Sequence, residues 1–232
     1  MKILVTGSLG CIGSEAVKFY LNNACQVIGI DNDMRKHCFG SEASVVKNRI
    51  DDRNYQHHGI DISKIEPIIE AEKPDAIIHA AAQTSLEWSI KNPLIDFGIN
   101  AYSTLMLLEM TKKHIPDSPF VFLANNDNSD LSPLQVSKWA AELYTLAYTK
   151  HYGLITGIFK CSNVLSRAGI KKEIGSDPIH ARDLVGMIDC FIKDPDPGKV
   201  YLVERGNLSF LTRYPDFKLQ YNEWAIMEDL RQ

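Results

Sequence analysis

A chain of 232 residues with 45% hydrophobic composition is long enough for one α/β domain with a substantial core. Its net charge of −4 comes without a basic cluster, which excludes the electrostatic footprint of a nucleic-acid or anionic-membrane partner. No apolar run approaches the roughly 20 residues that span a bilayer. Met1 leads directly into a core strand rather than a signal-peptide pattern, and the five cysteines, Cys11, Cys25, Cys38, Cys161 and Cys190, are widely spaced with no Cys-x-x-Cys pair. They read as reduced thiols, and the expected location is cytoplasmic.

The chain opens as strand, glycine turn, helix and strand. Lys2 to Thr6 is a short apolar run, Gly7-x-x-Gly10-x-x-Gly13 follows at once, and Ile12, Ala16, Phe19 and Tyr20 recur at helical spacing. Val27 to Ile30 then ends in Asp31. This is a nucleotide-binding β-α-β unit, in which glycines allow the tight turn, the approach of backbone N–H groups to a pyrophosphate, and close packing of helix on strand. Gly7, Gly10, Cys11, Ile12 and Gly13 are therefore candidate phosphate contacts. A carboxylate at position 31 accepts hydrogen bonds from an adenosine ribose and repels a 2′-phosphate, so NAD is expected rather than NADP. Cys11 is read as a small packing residue, the alternative being a thiol activated by the helix dipole.

Asn32 to Arg53 reads as a solvated connection with one short helix, in which Asn32 and Arg35 lie beside the carboxylate and within reach of the adenosine edge. Tyr55 to Ile62 is a short strand with its end, and Asp61 suits the N-cap of a helix over Ser63 to Glu72. His57 and His58 are adjacent, hence on opposite faces of a strand, and make a poor metal pair. Pro74-Asp75 precedes the strand Ala76 to His79, whose carboxyl end carries Ala80, Ala81 and Ala82. Three small side chains there let a flat ligand approach the backbone, at the edge where open parallel sheets bind ligands. Asn92-Pro93 marks a turn before the amphipathic stretch Asn100 to His114, within which Asn100 is expected to serve structure. Pro119 to Leu123 is a further strand, Ser132 to Tyr152 a helix with proline in its first turn, and Ile155 to Phe159 another strand, after which Lys160 reads as a surface lysine.

Met1 to Gly13, Ile28 to Arg35, Phe39 to Ser44, His79 to Gln83 and Pro93 to Phe97, with Asp183 to Val185, Pro197 to Tyr201 and Tyr214 to Lys218, resemble the extended short-chain dehydrogenase/reductases that modify nucleotide sugars. The similarity is greatest to the CDP-paratose 2-epimerases and their relatives. The resemblance implies a doubly wound, mostly parallel α/β Rossmann sheet. Residues 1–160 would form the NAD-binding domain, and 161–232 a much reduced substrate lobe. It also implies that Asp61 and Ile62 lie against the adenine, that His180 and Arg182 belong to a phosphate-holding stretch, and that the protein is a homodimer through the helices at 100–114 and 132–152. For Arg182, pairing with Asp183 or solvent is an equal alternative.

Members of that family oxidise a sugar carbon with NAD and return the hydride. A tyrosine takes the hydroxyl proton, a lysine four residues later lowers its pKa and holds the nicotinamide ribose, and a serine or threonine after the preceding strand orients the substrate. Lys138 matches the lysine, Leu134 stands where the tyrosine belongs, and Asn125 lies near the hydroxyl position. An aliphatic side chain accepts no proton, and loss of a positioned general base removes about 10²–10⁴-fold of rate. The chain's one Tyr-x-x-x-Lys, Tyr214 to Lys218, contains a proline and offers no replacement. Against the family pattern the chain is also abbreviated at Asn125 to Leu131, at Ser166 to Asp177 and after Arg205-Gly206.

The reading is an NAD-binding protein derived from a nucleotide-sugar epimerase, with Gly7, Gly10, Gly13, Asp31, Asp61 and Lys138 holding the cofactor and the usual chemistry lost. One alternative is an active epimerase or oxidoreductase, with a nucleotide sugar as substrate and Asn125, Asp127 or a water on Lys138 as base. The other is a scaffold that keeps the nucleotide site only as fold.

Overall fold

A computed structural model describes residues 1–126, 131–161, 163–166, 178–204, 207–208 and 210–231. The first unit is β1 (Lys2–Thr6), α1 (Cys11–Asn22) and β2 (Gln26–Ile30), and it is followed by α2 (Met34–Phe39), β3 (Tyr55–His58), α3 (Glu66–Glu72) and β4 (Ala76–His79). Two short helices, α4 (Leu86–Lys91) and α5 (Pro93–Phe97), precede a π-helical turn at Gly98–Tyr102 that runs into α6 (Ser103–His114). The chain continues through β5 (Phe120–Ala124), α7 (Pro133–Tyr152), β6 (Thr156–Cys161), β7 (Val164–Leu165), β8 (Ile179–His180) and α8 (Ala181–Lys193). It ends in β9 (Lys199–Glu204), β10 (Asn207–Leu208), α9 (Phe210–Arg213) and α10 (Glu223–Arg231).

Eight of these strands form one sheet in the order β10-β9-β6-β5-β4-β1-β2-β3. Seven run parallel, and β10 closes the edge antiparallel to β9. This is the doubly wound Rossmann architecture. The central strands β1, β4 and β5 read as almost unbroken apolar runs because both of their faces are covered. Ile3 and Val5 of β1 join a core with α1 and α8, while Leu4 joins a second core with α3, α6 and α7. Residues after 160 thus contribute two strands to the sheet and, through α8, much of one core.

Local sequence explains the element ends. Ser132 caps α7 by accepting from the Gln135 N–H, Pro133 occupies the first turn, and Gly153 ends the helix at φ 73°, where an L side chain is strained. Ser85 caps α4 in the same manner. The turn expected at Asn92-Pro93 is the junction of two short helices: Asn92 ends α4, its backbone N–H and its Nδ2 both donating to the Trp88 carbonyl, and Pro93 begins α5 directly. Asp61 accepts from the Ser63 N–H, as a cap would, but it opens a single 3₁₀ turn at Ile62–Lys64 before α3 starts.

Candidate functional site

Strand order reverses at β1, between β2 and β4, and ligands of open α/β sheets bind in the crevice at the carboxyl ends of such strands. There the chain turns at Gly7, with φ 67° and its N–H bonded to the Ile30 carbonyl at 2.8 Å. A Cβ on Gly7 would lie 2.7 Å from the Ala80 and Ala81 backbone, and one on Gly13 would lie 2.0 Å from the Gly7 oxygen. Two glycines of the motif are therefore required by close backbone approach. The turn hands directly to α1, whose first residues, Cys11, Ile12 and Gly13, line a cavity.

Two adjoining cavities share Gly10, Met34, Arg35, Val45, Ala80 and Ala82 as walls. The larger, about 360 Å³, is lined by Gly7, Asp31, Asn32, Arg35, Asp61, Ile62 and Ala80 to Ala82 among others. The second, about 300 Å³, takes in the turn from Gly10 to Gly13 together with Arg35, Lys47, Gln83, Thr84 and Val164. The turn, the β2 end, the β3 end and the alanine run expected to form one site are brought together.

Asp31 is held from two sides: Oδ2 accepts from the Leu9 N–H at 3.0 Å and Oδ1 from the Asp33 N–H at 2.9 Å. Burial pushes its carboxyl above the usual range, against those two bonds. Asn32 donates to Asp61 at 3.0 Å, which ties the β2 end to the β3 end across the cavity wall. Asp33 adopts a left-handed φ of 53° and accepts from Ser44 Oγ at 2.6 Å and the Val45 N–H at 2.9 Å. Asn48 donates to the Leu9 carbonyl at 2.6 Å. The segment expected as a solvated connection is thus folded back on the glycine turn and supplies Val45 to both cavities. Asp33 and Asn48 carried no sequence signal beyond their type, although aspartate and asparagine are the residues that tolerate left-handed turns.

Behind the alanine wall runs a dry hydrogen-bond chain. The Thr104 hydroxyl donates to the Asn100 carbonyl at 2.6 Å, so toward His79 it accepts, and His79 carries its proton on Nε2, 2.9 Å away. Nδ1 then accepts from the Thr6 hydroxyl at 2.7 Å, and Thr6 Oγ1 accepts from the Ala81 N–H at 3.3 Å. Complete burial, together with the Lys138 charge, lowers the His79 pKa to about 3, so the ring is neutral. The chain joins β1, β4 and α6 and fixes one wall of the cleft.

Lys138 and Leu134 lie elsewhere. Both are 6% exposed, and Lys138 Nζ donates to the Leu123 carbonyl at 2.7 Å with the Phe122 ring 4.6 Å beneath it. Burial depresses its pKa to about 8, partly offset by Cys161, Asp96 and Glu142. Asn125 donates to Gln135 at 3.4 Å, and none of Lys138, Leu134 and Asn125 lines either cavity. A buried cluster that sequence reasoning missed supports the α7 start: Asp96, fully buried, accepts from Ser137 Oγ at 2.6 Å, Gln83 Nε2 at 2.7 Å and Asn100 Nδ2 at 3.2 Å. Asn100 also bonds the Gln83 backbone N–H and carbonyl, the structural use expected of it. Asp127, the stretch 167–177 and Arg205-Gly206 lie outside the described residues.

Arg182, Lys160 and His180 each have partners within the chain. Arg182 faces neither cavity; its Nε donates to the buried Glu15 carboxylate at 2.9 Å and its NH1 to Tyr221 at 2.5 Å. Lys160 is no surface lysine: it is paired with Glu142 at 3.1 Å, both side chains largely buried. His180 caps α8, bonds Asp229 at 3.1 Å and stacks on Tyr221.

The fold and the glycine-turn crevice define a Rossmann-type dinucleotide fold. The chain belongs to the NAD dependent epimerase/dehydratase family, whose model matches residues 3–177. It is 28% identical over 201 residues to the CDP-paratose 2-epimerase of Salmonella typhi, an alignment that takes in 71% of this chain and 57% of that one. It is 30% identical over 199 residues to the dTDP-glucose 4,6-dehydratase of Escherichia coli, covering 70% and 54%. The chain therefore spans little more than half the length of these curated relatives. The Bordetella bronchiseptica enzyme WbmF, solved in complex with NAD+, shares the fold with a TM-score of 0.76 at 20% identity, covering all of this chain and 86% of that one.

Proposed function

We propose that this protein holds NAD in the β1/β4 crevice and does not carry out the proton transfer of a nucleotide-sugar epimerase. The observation that carries the reading is the pairing of an intact ribose-binding end with an aliphatic catalytic position. Asp31 stands oriented by two backbone N–H groups, whereas Leu134, one helical turn before Lys138, is buried and cannot exchange a proton. The crevice fits the group: a Cβ on Gly7 or Gly13 would occupy space needed by the turn, and α1 presents its first N–H groups to the second cavity. Gly7, Gly10, Cys11, Ile12 and Gly13 would hold the phosphates. Asp31, Asn32, Arg35, Asp61, Ile62 and Ala80 to Ala82 would hold the adenosine. When bound, NAD supplies a hydride acceptor; this chain supplies no described side chain at position 134 to take the accompanying proton.

A nucleotide sugar is a second ligand of relatives, as in the WbmF complex with NAD+ and UDP, and we extend it to this chain only as something to test. A homodimer is supported by apolar side chains exposed on neighbouring helices, including Ile90 of α4, Leu94 of α5, and Trp139 and Leu143 of α7. No helix among the described residues is long and apolar enough to cross a membrane. The cysteines are widely spaced in the sequence with no Cys-x-x-Cys pair, a pattern that suits reduced thiols and a cytoplasmic location.

Calorimetric titration with NAD and NADH, then with CDP- and UDP-sugars on the loaded protein, tests the reading. The expected result is NAD binding of about −8 kcal/mol, in the micromolar range, with no sugar oxidation. Turnover of a sugar nucleotide by the unaltered chain would overturn the loss of chemistry, and absence of NAD binding would overturn the cofactor role. In Leu134→Tyr, hydride transfer that the parent lacks would place the loss at that residue.

A further inference from the structure

We propose that Tyr55 is a positioning residue for the glycine turn: through Ser8, its hydroxyl sets the geometry in which the turn receives a diphosphate. The inference rests on the NAD-binding reading above and adds to it a residue that lines neither cavity. In the parallel register of β2 and β3, Tyr55 stands opposite Val27, and Gly29 follows Val27 on the same face. A Cβ added at Gly29 would lie 2.3 Å from the Tyr55 hydroxyl and 2.7 Å from Ser8 Oγ. Gly29 is thus the opening through which a side chain of β3 crosses β2 and reaches the turn that follows β1. Glycine inside a strand often marks such a close approach. At the far side the Tyr55 hydroxyl donates to Ser8 Oγ at 3.2 Å. Burial pushes the phenol pKa up, so the group stays protonated and remains a donor.

Ser8 is 1% exposed and lies between Gly7, whose φ is 67°, and Leu9. Its N–H donates to the Ile30 carbonyl at 3.3 Å, the Leu9 N–H donates to Asp31 at 3.0 Å, and the Leu9 carbonyl accepts from Asn48 at 2.6 Å. The turn is therefore anchored to the end of β2 and to residue 48, and Tyr55 adds the anchor from β3. Removing the phenol hydroxyl takes this partner from a buried serine, and a buried polar group so deprived is costly where it stands. The N–H groups at the start of α1, which follow the turn directly, hold a diphosphate by direction as well as by charge. A small shift of the turn then weakens that hold.

The test is calorimetry on the full chain with NAD+ and adenosine as separate titrants, for the parent, Tyr55→Phe, Ser8→Ala and the double variant. Each single variant is expected to bind NAD+ about 3- to 10-fold more weakly. The double variant is expected to bind no more weakly than the weaker single, because both substitutions remove the same bond. Adenosine, which carries no phosphate, is expected to bind all of them alike. Gly29→Ala keeps both hydroxyls but fills the opening between them, and it is expected to show the same loss of NAD+ affinity. If Tyr55→Phe or Gly29→Ala binds NAD+ as the parent does, or if the two single losses add in the double variant, this inference fails while the NAD-binding function stands. Adenosine affinity that falls in step with that of NAD+ would also overturn it, since the effect would then be a general loosening of the fold. If the parent itself binds no NAD+, both fail.

Discussion

Burial holds the Asp31 carboxyl above its ordinary range, and the two backbone N–H groups bonded to it pull the other way. The ionised form is the one that can accept from both hydroxyls of a ribose. Dinucleotide affinity is therefore expected to fall as pH drops through a value higher than that of an ordinary aspartate, by up to about tenfold per pH unit below it. Calorimetry across a pH series checks this, and a flat profile down to the usual carboxylate range would refute it. Lys138 titrates in the opposite sense. Its folded pKa of about 8 lies below the reference 10.5, so the folded state binds fewer protons between those values and stability rises with pH across that window. Lys138→Met, similar in volume, is expected to raise the denaturation midpoint at pH 7 and to flatten the stability profile between about pH 8 and 10. Equilibrium urea unfolding at several pH values measures both, and a variant with unchanged pH slope would show that the lysine is not the titrating group.

Among elements, α8 and the C-terminal segment depend on a contact that joins distant parts of the chain. Glu15 of α1 is 2% exposed. Burial pushes its carboxyl up, but bonds from Lys18 and Arg182 outweigh that and hold it below its usual range. Arg182 then reaches Tyr221, while Asp183 accepts from the Gln220 and Tyr221 N–H groups at 2.8 and 3.1 Å. The start of α8 is in this way clasped to α1 on one side and to residues 220–221 on the other. Arg182→Ala is expected to destabilise the protein by about 1–3 kcal/mol, because it leaves a buried carboxylate short of a partner and removes one bond to Tyr221. The stability that Glu15 contributes is present above the carboxylate's unfolded pKa and is lost as pH falls through its depressed folded pKa. In the variant this acid-side loss moves to higher pH. Thermal unfolding at pH 7 and in mildly acidic buffer reads the effect, and equal midpoints for parent and variant would remove the clasp from the account.

For the whole molecule, the sheet is covered on both faces, yet one outer helical surface carries a set of half-exposed apolar residues. Ile90 of α4, Leu94 of α5 and Val136, Trp139, Leu143 and Tyr144 of α7 are exposed on three helices that pack against one another. A patch of this kind on a folded domain marks an interaction surface, and a second copy of the chain is its proposed occupant. Trp139→Glu combined with Leu143→Glu is expected to convert a dimer to a monomer in size-exclusion chromatography with light scattering, with NAD affinity unchanged because neither residue lines the cleft. A monomeric parent would end this part of the proposal.

Much of the architecture is legible in the sequence. The β-α-β unit depends on contiguous residues, and Gly7, Gly13 and Asp31 occupy the turn and the strand end that their spacing implied. The same holds for Asp61 and Ala80 to Ala82, since each strand of a parallel sheet delivers its carboxyl end to one edge. What only the tertiary structure decided was how residues far apart in sequence meet. Val45 and Asn48 return to the glycine turn, Ile99 and Ser103 line the larger cavity, and Arg182 meets Glu15, far from it in sequence. Lys138 has the same sequence setting whether it faces a cofactor or a carbonyl. Its partner is fixed by how α7 packs on β5, a relation of helix to sheet that local periodicity does not encode, because a polar side chain takes whichever buried acceptor the packing brings within reach.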